Sequence, residues 1–157
     1  MSVQAVKDYL KKWNLDSGVM EMELSSATVE LAAEAVGVIP ARIAKTLSFK
    51  DGESCILIVT AGDAKVDNTK FKAFFKMKAK MLSPDEVFTL TGHPVGGVCP
   101  FALKEPGIRV YTDISMKRFD TVFPACGSGN SAVELTCDEL FLISRSLQWI
   151  DVCKEWH

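Results

Sequence analysis

The chain has 157 residues, 48% of them hydrophobic, and its 18 basic and 20 acidic side chains give a net charge of −2. This length predicts a single domain, residues 1–157, that can bury a core. The charge argues against a dedicated high-affinity nucleic-acid binder, which usually has a strong basic excess, but leaves room for a local basic patch. The sequence has no run of 18 apolar residues and begins with a stretch too polar for a secretory signal. We therefore expect a cytoplasmic protein without a membrane partner.

The cysteines and histidines argue against metal and disulfide sites. No two of the five cysteines are spaced C-x-x-C, and zinc sites and disulfide frameworks expect paired spacing. We therefore predict free thiols in a reducing compartment, with neither a metal nor a cofactor. The cysteines are Cys55, Cys99, Cys126, Cys137 and Cys153, and the histidines are His93 and His157.

The first 40 residues predict two helices and a short strand. Apolar residues recur at helical spacing from Ser2 to Trp13, and Ser2 suits the N-cap. The weak alternation of Val19 to Leu24 indicates a short strand. Thr28 is expected to cap a second helix, and Gly37 suits its C-cap because glycine tolerates a positive φ.

The next predicted strand, Arg42 to Lys50, carries a lysine among apolar side chains. Alternation places Lys45 on the same face as Ile43, Leu47 and Phe49. Lysine is seldom buried. The amine therefore either snorkels to solvent at a strand edge or faces a ligand site.

A hairpin follows this strand. Asp51-Gly52 is a strong turn signal, and Cys55 to Thr60 is apolar on both faces, as in a central strand. Pairing with the middle of a sheet weakens the solvent-edge interpretation of Lys45.

The second half predicts helices interspersed with short strands, which is typical of an α+β domain with a mixed or largely antiparallel sheet. Ser83 and Glu86 form a capping box around Pro84, and Thr136 caps a later helix. The predicted helices are Asn68–Lys76, Ser83–Leu90 and Asp138–Arg145, and the predicted strands are Gly107–Tyr111, Thr121–Ala125, Ala132–Leu135 and Gln148–Cys153.

Two glycine-rich loops are candidate binding elements. The first, residues 91–100, is longer than a typical connection and contains Gly92, Gly96 and Gly97, which let backbone groups approach a ligand closely. His93 within it is either a general base or, as we prefer, a solvated side chain. The second loop, C-G-S-G-N from Cys126, could bind an anion or a carbonyl oxygen, although a hairpin turn explains it equally well. It lacks the spacing of a P-loop or a nucleophile elbow.

The stretch from Lys65 to Lys80 holds six lysines and one acid, for a local charge of +5. Such a cluster either contacts phosphates or forms a solvated helix face. Phe71, Phe74 and Phe75 share one side of the predicted helix, so we interpret them as core residues rather than as a surface for base stacking.

Three motifs, in family order and together spanning nearly the whole chain, resemble the YbaK and prolyl-tRNA-synthetase-associated domain family. The first is T-V-E-L-A-A-E-A-V-G-V from Thr28, followed by I-A-K-T-L. The second is G-G-V-C-P from Gly96, and the third is G-S-G-N-S-A-V-E-L from Gly127. The resemblance implies an α+β fold with a curved mixed, mainly antiparallel sheet that is barrel-like and flanked by helices.

The resemblance also implies an aminoacyl-tRNA deacylase that acts in trans, most of all on Cys- or Ala-tRNA(Pro), with prolyl-tRNA synthetase as a candidate partner. The family's invariant lysine maps to Lys45, and its glycine-proline loop maps to Gly96 and Pro100; these are the expected catalytic residues. Thr46 follows the lysine as in the cysteinyl-tRNA(Pro) branch. The expected substrate-binding residues are Thr28, Thr46, Gly97, Val98, Cys99, Gly127, Ser128 and Gly129, and the expected tRNA contacts are Lys70, Lys72 and Lys76.

Two other interpretations stay open at this point. A domain with this fold could bind a tRNA end or a partner protein without catalysis. A thiol enzyme using Cys99 is the third and weaker alternative.

Overall fold

The structure, a computed structural model, describes residues 2–23 and 28–156. The described α-helices are α1 Ser2–Leu10, α2 Val29–Val36, α3 Asn68–Phe75, α4 Pro84–Thr91 and α5 Cys137–Ile143. Short 3₁₀ turns lie at Lys11–Trp13, Asp16–Gly18, Pro40–Arg42 and Ile114–Arg118. The strands are β1 Met20–Glu21, β2 Ile43–Asp51, β3 Ser54–Ala61, β4 Lys65–Val66, β5 Arg109–Asp113, β6 Thr121–Pro124, β7 Ser131–Ala132, β8 Leu135–Thr136, β9 Trp149–Ile150 and β10 Cys153–Lys154.

The main sheet has six strands in the order β8-β6-β2-β3-β5-β9 and curls into a half-barrel. The central hairpin β2–β3 is antiparallel, and so is the outer pair β6–β8. The pairs β2–β6, β3–β5 and β5–β9 are parallel. Two small antiparallel pairs, β1–β7 and β4–β10, complete the described strands. The expected α+β fold with a curved mixed sheet is confirmed.

The core surrounds the hairpin. Every residue from Cys55 to Ala61 on β3 is buried, as predicted for a central strand, and α1 contributes Val6 and Leu10 to the same cluster. A smaller cluster joins Ile43 and Phe123 to the buried alanines of α2. Burying apolar surface of this kind supplies most of the favourable free energy of folding. The second cluster fixes α2 against the end of β2 that carries Lys45.

The local signals at Thr28, Gly37, Ser83 and Thr136 and in the hairpin are confirmed, whereas Ser2, expected as an N-cap, lies within α1. Thr28 accepts from the Leu31 amide, and Gly37 closes α2 at a φ of 76°. The capping box of Ser83 with Glu86 is present, and Thr136 forms a second one with Glu139. These contacts satisfy amides that have no partner within the helix.

Several predictions about strands are wrong in detail. The segment Ala132–Leu135 divides between β7 and β8, and Gln148–Cys153 divides between β9 and β10. Residues Val19 to Leu24 contribute only the two-residue β1, and Leu24 lies outside the described residues. Strand β2 is covered on both faces, because Ala44 and Ser48, expected opposite Lys45, are 3% and 6% exposed.

No helix within residues 2–23 and 28–156 combines the length and apolar character needed to cross a bilayer. The same residues contain no cluster of three His, Cys, Asp or Glu side chains that could hold a metal ion. The cysteines in this part of the chain are free thiols, four of them buried.

Candidate active site

A cleft of about 320 Å³ opens between α2, the start of β2, the first glycine loop and the turn after β6. Its walls are mostly apolar, and its polar side chains come chiefly from β2. The polar residues on its surface include Thr28, Lys45, Thr46, Ser48 and Ser131. The apolar ones include Val29, Ile43, Met81, Val95, Val98 and Phe123. A concave apolar site with a few convergent polar groups is typical of small-molecule recognition.

Lys45 is half-buried in this cleft, on a strand held between two neighbours in the sheet. Its ammonium donates to the carbonyl oxygen of Gly62 at 3.4 Å. Burial lowers the pKa of Lys45, because a desolvated ammonium is less stable, and the charge of Asp63 opposes that effect in part. An ammonium has three donors, and the bond to Gly62 uses one of them. Because Lys45 is half-buried on a strand with a neighbour on each side, its solvent-edge interpretation is not supported.

Thr46 adds a polar group to the same wall. Its hydroxyl oxygen is buried and has no hydrogen-bond partner among the described residues. A buried hydroxyl without a partner is unfavourable and requires an explanation. Thr46 itself lines the cleft, so this unpaired oxygen lies close behind the wall.

Thr28 has two roles in the structure. The Thr28 side chain caps α2, and Thr28 also lines the cleft. The cap fixes the start of α2 beside Lys45, which explains how a helix end comes to border the site.

The two glycine loops are joined backbone to backbone. The Gly127 amide donates to the Gly97 carbonyl at 3.0 Å. A Cβ on Gly97 would lie 2.5 Å from the Ser128 nitrogen, which is too close for any residue with a side chain. Gly96 and Val98, on either side of Gly97, line the cleft. The second loop thus supports the first from behind.

A serine hydroxyl organises the second loop. Ser131 Oγ accepts from the amides of Cys126 at 3.1 Å and Ser128 at 3.2 Å. Ser128 Oγ donates to the side chain of Asn130 at 2.8 Å. Ser131 borders the cleft, whereas Gly127, Ser128 and Gly129 lie outside its lining. Ser131 was not among the site residues predicted from the sequence.

The expectation that His93 is solvated is wrong, since this side chain is 1% exposed. Its Nδ1 lies 2.5 Å from Ser2 Oγ and its Nε2 lies 2.7 Å from the Phe101 carbonyl oxygen. Burial lowers the pKa of His93, so that the imidazole is neutral near pH 7. His93 ties the loop to α1 and does not border the cleft.

Cys99 and Pro100 lie outside the lining of the cleft. Cys99 is fully buried, and burial raises the pKa of its thiol to about 12. A thiol of that kind is protonated and inert at neutral pH, which disfavours the thiol-enzyme alternative. Pro100 borders a separate cavity of about 330 Å³, beside Tyr9 and Arg145.

The lysines expected to contact tRNA differ in their surroundings. Lys70 pairs with Asp151 at 3.1 Å and donates to the Cys153 carbonyl at 3.0 Å, whereas Lys72 and Lys76 are exposed. Phe71 is buried as predicted, but Phe74 is 38% exposed, so the expectation that Phe74 belongs to the core is wrong. Phe74 instead packs edge-on against Phe75 and Tyr111.

Comparisons with known proteins identify the family. Residues 24–142 match the model of the aminoacyl-tRNA editing domain. The chain is 57% identical over 157 residues, 99% of both chains, to the uncharacterized protein YwhH of Bacillus subtilis. It is also 29% identical over 93 residues to the proline–tRNA ligase of Thermotoga maritima, where the match covers 59% of this chain and 16% of the ligase.

Solved structures agree with that assignment. A candidate trans-editing enzyme for prolyl-tRNA synthetase superposes with a TM-score of 0.88 at 27% identity, covering 98% of this chain and 97% of the other. The hypothetical protein APE2540 superposes with a TM-score of 0.79 at 28% identity, covering 93% of this chain and 99% of the other. The family match, the fold and the lysine-bearing cleft lead to one conclusion: this chain belongs to the aminoacyl-tRNA editing domain family, the YbaK family.

Proposed function

We propose that this protein deacylates mischarged aminoacyl-tRNA in trans, most of all Cys- or Ala-tRNA(Pro). Membership of an editing family supports the reaction class, and the likeness to a candidate trans-editing enzyme for prolyl-tRNA synthetase supports the tRNA. The observation that carries the proposal is the half-buried ammonium of Lys45 in a cleft bordered by Gly96 and Val98. Charged tRNA is a cytoplasmic substrate, and we assign the protein to that compartment.

The need for such an activity follows from the limits of binding. A synthetase pocket separates two side chains that differ by one methylene by only about 1–3 kcal/mol, so a second, hydrolytic site improves accuracy. A small, mostly apolar cleft suits the side chain of a small amino acid. The ester bond is already labile, and positioned donors are enough to accelerate its hydrolysis.

In the proposed reaction, a water oxygen attacks the ester carbonyl carbon, and the bond from that carbon to the ribose oxygen breaks. One water proton goes to the ribose oxygen, which leaves as a hydroxyl. The other proton is released to solvent, and the amino acid departs as a free carboxylate. The substrate's own hydroxyl or thiol is the other candidate for the attacking group. No protein nucleophile and no cofactor take part.

The chain's own groups bind and polarise the substrate. Lys45 directs its charge at the ester carbonyl or at the phosphate of the terminal adenosine, where it favours the developing negative charge. Backbone groups of the loop 96–100 hold the aminoacyl group and its amine, and Thr46 lines the same cleft. The second glycine loop keeps the first in place, and Lys72 and Lys76 contact the tRNA backbone.

The test is deacylation of tRNA-Pro charged in turn with Ala, Cys, Ser or Pro. Lys45→Ala is expected to slow hydrolysis of the preferred species by roughly 100-fold or more, the usual cost of removing one oxyanion donor. The matched control is Lys50→Ala, on the same strand but paired with Glu86 and outside the cleft lining, which should retain activity. Equal rates for wild type and Lys45→Ala would contradict the role of Lys45.

The second candidate function is a non-catalytic module that uses the same cleft to bind a tRNA end or a partner protein, prolyl-tRNA synthetase included. Many turnovers at catalytic protein concentration would exclude it. Stoichiometric protection of the charged tRNA, without release of amino acid, would support it instead.

A further inference from the structure

The carbonyl group that holds Lys45 lies in a tight turn, residues 61–64, which follows β3. The Ala64 amide donates to the Ala61 carbonyl at 3.1 Å and closes the turn. The Ala61 amide donates to Ser115 Oγ at 3.1 Å. A Cβ on Gly62 would lie 2.1 Å from the Pro40 carbonyl oxygen, so this residue packs directly against the turn before β2. The position of the Gly62 carbonyl is therefore well defined.

The next residue in this turn, Asp63, is an acid beside the candidate catalytic amine. Lys45 and Asp63 interact electrostatically: the carboxylate raises the pKa of Lys45, and the ammonium contributes to lowering that of Asp63. A direct ion pair between them would hold the ammonium in the turn and remove it from the cleft. The other charged or titratable groups that face Lys45 are Glu30, Lys65 and Cys153.

Arg118 occupies both oxygens of that acid. Its Nη1 lies 3.0 Å from Asp63 Oδ2, and its Nη2 lies 2.6 Å from Asp63 Oδ1. A parallel pair of this kind is the strongest geometry between a guanidinium and a carboxylate. Arg118 is the largest cause of the lowered pKa of Asp63, ahead of Lys45.

Arg118 is itself held from several sides. Its Nε donates to the Ser115 carbonyl at 2.8 Å, and its Nη1 also donates to the Trp156 carbonyl at 2.8 Å. The guanidinium lies over the rings of Phe119 and Trp156, at 4.9 and 5.1 Å from their centroids. An arginine fixed by so many contacts keeps its partner carboxylate in one orientation.

We infer that Arg118 is a positioning residue for the editing reaction: by holding the Asp63 carboxylate, it keeps the Lys45 ammonium free to reach the substrate. This inference rests on the proposed function. Removing Arg118 releases Asp63, which captures Lys45 in an unproductive ion pair. Removing the Asp63 charge as well leaves nothing in the turn to compete for the ammonium.

The experiment compares four proteins: wild type, Arg118→Gln, Asp63→Asn and the double variant. We expect Arg118→Gln to lower kcat for the preferred aminoacyl-tRNA by roughly 10- to 100-fold, the cost of a misplaced catalytic group. Asp63→Asn and the double variant should stay within about threefold of wild type, because without the Asp63 carboxylate nothing in the turn captures Lys45. The effects of the two substitutions on kcat are therefore not additive. The matched control is Arg109→Gln, which breaks a similar ion pair, with Asp51 at 3.1 Å, outside the cleft lining.

The rescue distinguishes positioning from stability. A merely structural Arg118 would leave the double variant at least as impaired as Arg118→Gln, and that result overturns the inference. Full activity of Arg118→Gln overturns it as well.

A second readout does not depend on catalysis. Labelling of Lys45 by an amine-reactive reagent, followed by mass spectrometry across a pH series, reports the pKa of its amine in each variant. Arg118→Gln should raise the pKa of Lys45 and slow its labelling at a fixed pH. Adding Asp63→Asn, to give the double variant, should reverse both changes. If wild type deacylates no charged tRNA but the labelling follows this pattern, the proposed function fails while the coupling of Arg118 to Lys45 stands; unchanged labelling overturns the coupling.

Discussion

His93 lies inside the protein as a neutral imidazole with a partner at each ring nitrogen. Ser2 and Phe101 supply those partners, and the His93 backbone amide donates to Thr91 Oγ1 at 3.1 Å. Because each polar atom is satisfied, burying this side chain costs little. A single histidine in a glycine-rich loop carries no periodicity that would indicate burial, so the sequence could not distinguish this arrangement from a solvated side chain.

The buried His93 makes stability depend on pH. The pKa of His93 is lowered in the folded protein and is near 6.5 in the unfolded chain. Its contribution to the free energy of unfolding is therefore fully present above about pH 6.5 and is lost as the pH falls through the folded pKa. The slope from this one proton reaches at most about 1.4 kcal/mol per pH unit. We expect wild type to lose more unfolding free energy between pH 7.5 and 5 than His93→Gln does, as measured by urea denaturation. Equal losses in both proteins would contradict this.

At the scale of elements, the site depends on contacts between segments that are distant in sequence. The loop 91–100 and the loop that begins at Cys126 have no common sequence signal, yet the Gly97 carbonyl and the Gly127 amide bond directly. Gly127 needs its φ of 96°, and a Cβ there would meet Ser2 at 2.7 Å. The first loop therefore has α1 and the second loop as its supports.

Gly97→Ala should separate the two loops. The added Cβ has no room beside the Ser128 nitrogen, and overpacking of this kind costs about 1–3 kcal/mol of unfolding free energy. We expect that loss in urea denaturation, together with slower deacylation. In the control, Gly18→Ala, the nearest atom to the new Cβ is Val133 Cγ2 at an ordinary 3.8 Å, and stability should change by less than about 0.5 kcal/mol. Wild-type stability of Gly97→Ala would show that the loops part without cost.

The elements divide by length into those that a sequence can predict and those that it cannot. The capping box at Ser83, the N-cap at Thr136, the C-cap at Gly37 and the hairpin at Asp51-Gly52 were predicted correctly, because each depends on local chemistry. Strands such as β7 and β8 have two residues each, too few for any period. Their partners, β1 and β6, come from other parts of the sequence, and the local sequence does not specify them.

At the scale of the whole molecule, charge is unevenly distributed. The net charge is −2, yet residues 65–80 carry six lysines and one acid. Ion pairs already occupy Lys70 with Asp151 and Lys65 with Glu155, whereas Lys72, Lys76, Lys78 and Lys80 are exposed. A phosphate backbone passing this stretch would meet exposed lysines, Lys72 and Lys76 among them.

Replacing Lys72 and Lys76 should weaken tRNA binding without altering the chemistry. For Lys72→Gln combined with Lys76→Gln, we expect a higher KM for charged tRNA, an unchanged kcat, and a log–log salt dependence of binding that is shallower by about 1–2. Hydrolysis of a small aminoacyl ester without tRNA should be unaffected. Lys11→Gln with Lys12→Gln, two exposed lysines in the turn after α1, is the control. An unchanged salt dependence would place the tRNA contact elsewhere.

The overall architecture and the cleft were predictable chiefly through the family resemblance, because three separated motifs occurred in the right order. Local patterns alone indicated an α+β domain and an unusual lysine. They did not reveal Ser131 or the turn at Gly62, since neither residue belongs to a periodic segment. Only in the folded chain does Ser131 line the cleft and the Gly62 carbonyl accept a hydrogen bond from Lys45.

The bond between the two glycine loops has a consequence for engineering. Since Gly97 packs directly against Gly127 and Ser128, a loop 91–100 transplanted alone from a relative would lack the second loop that supports it. Chimeras intended to transfer amino-acid preference should therefore exchange both segments together, and directed-evolution libraries should vary them jointly.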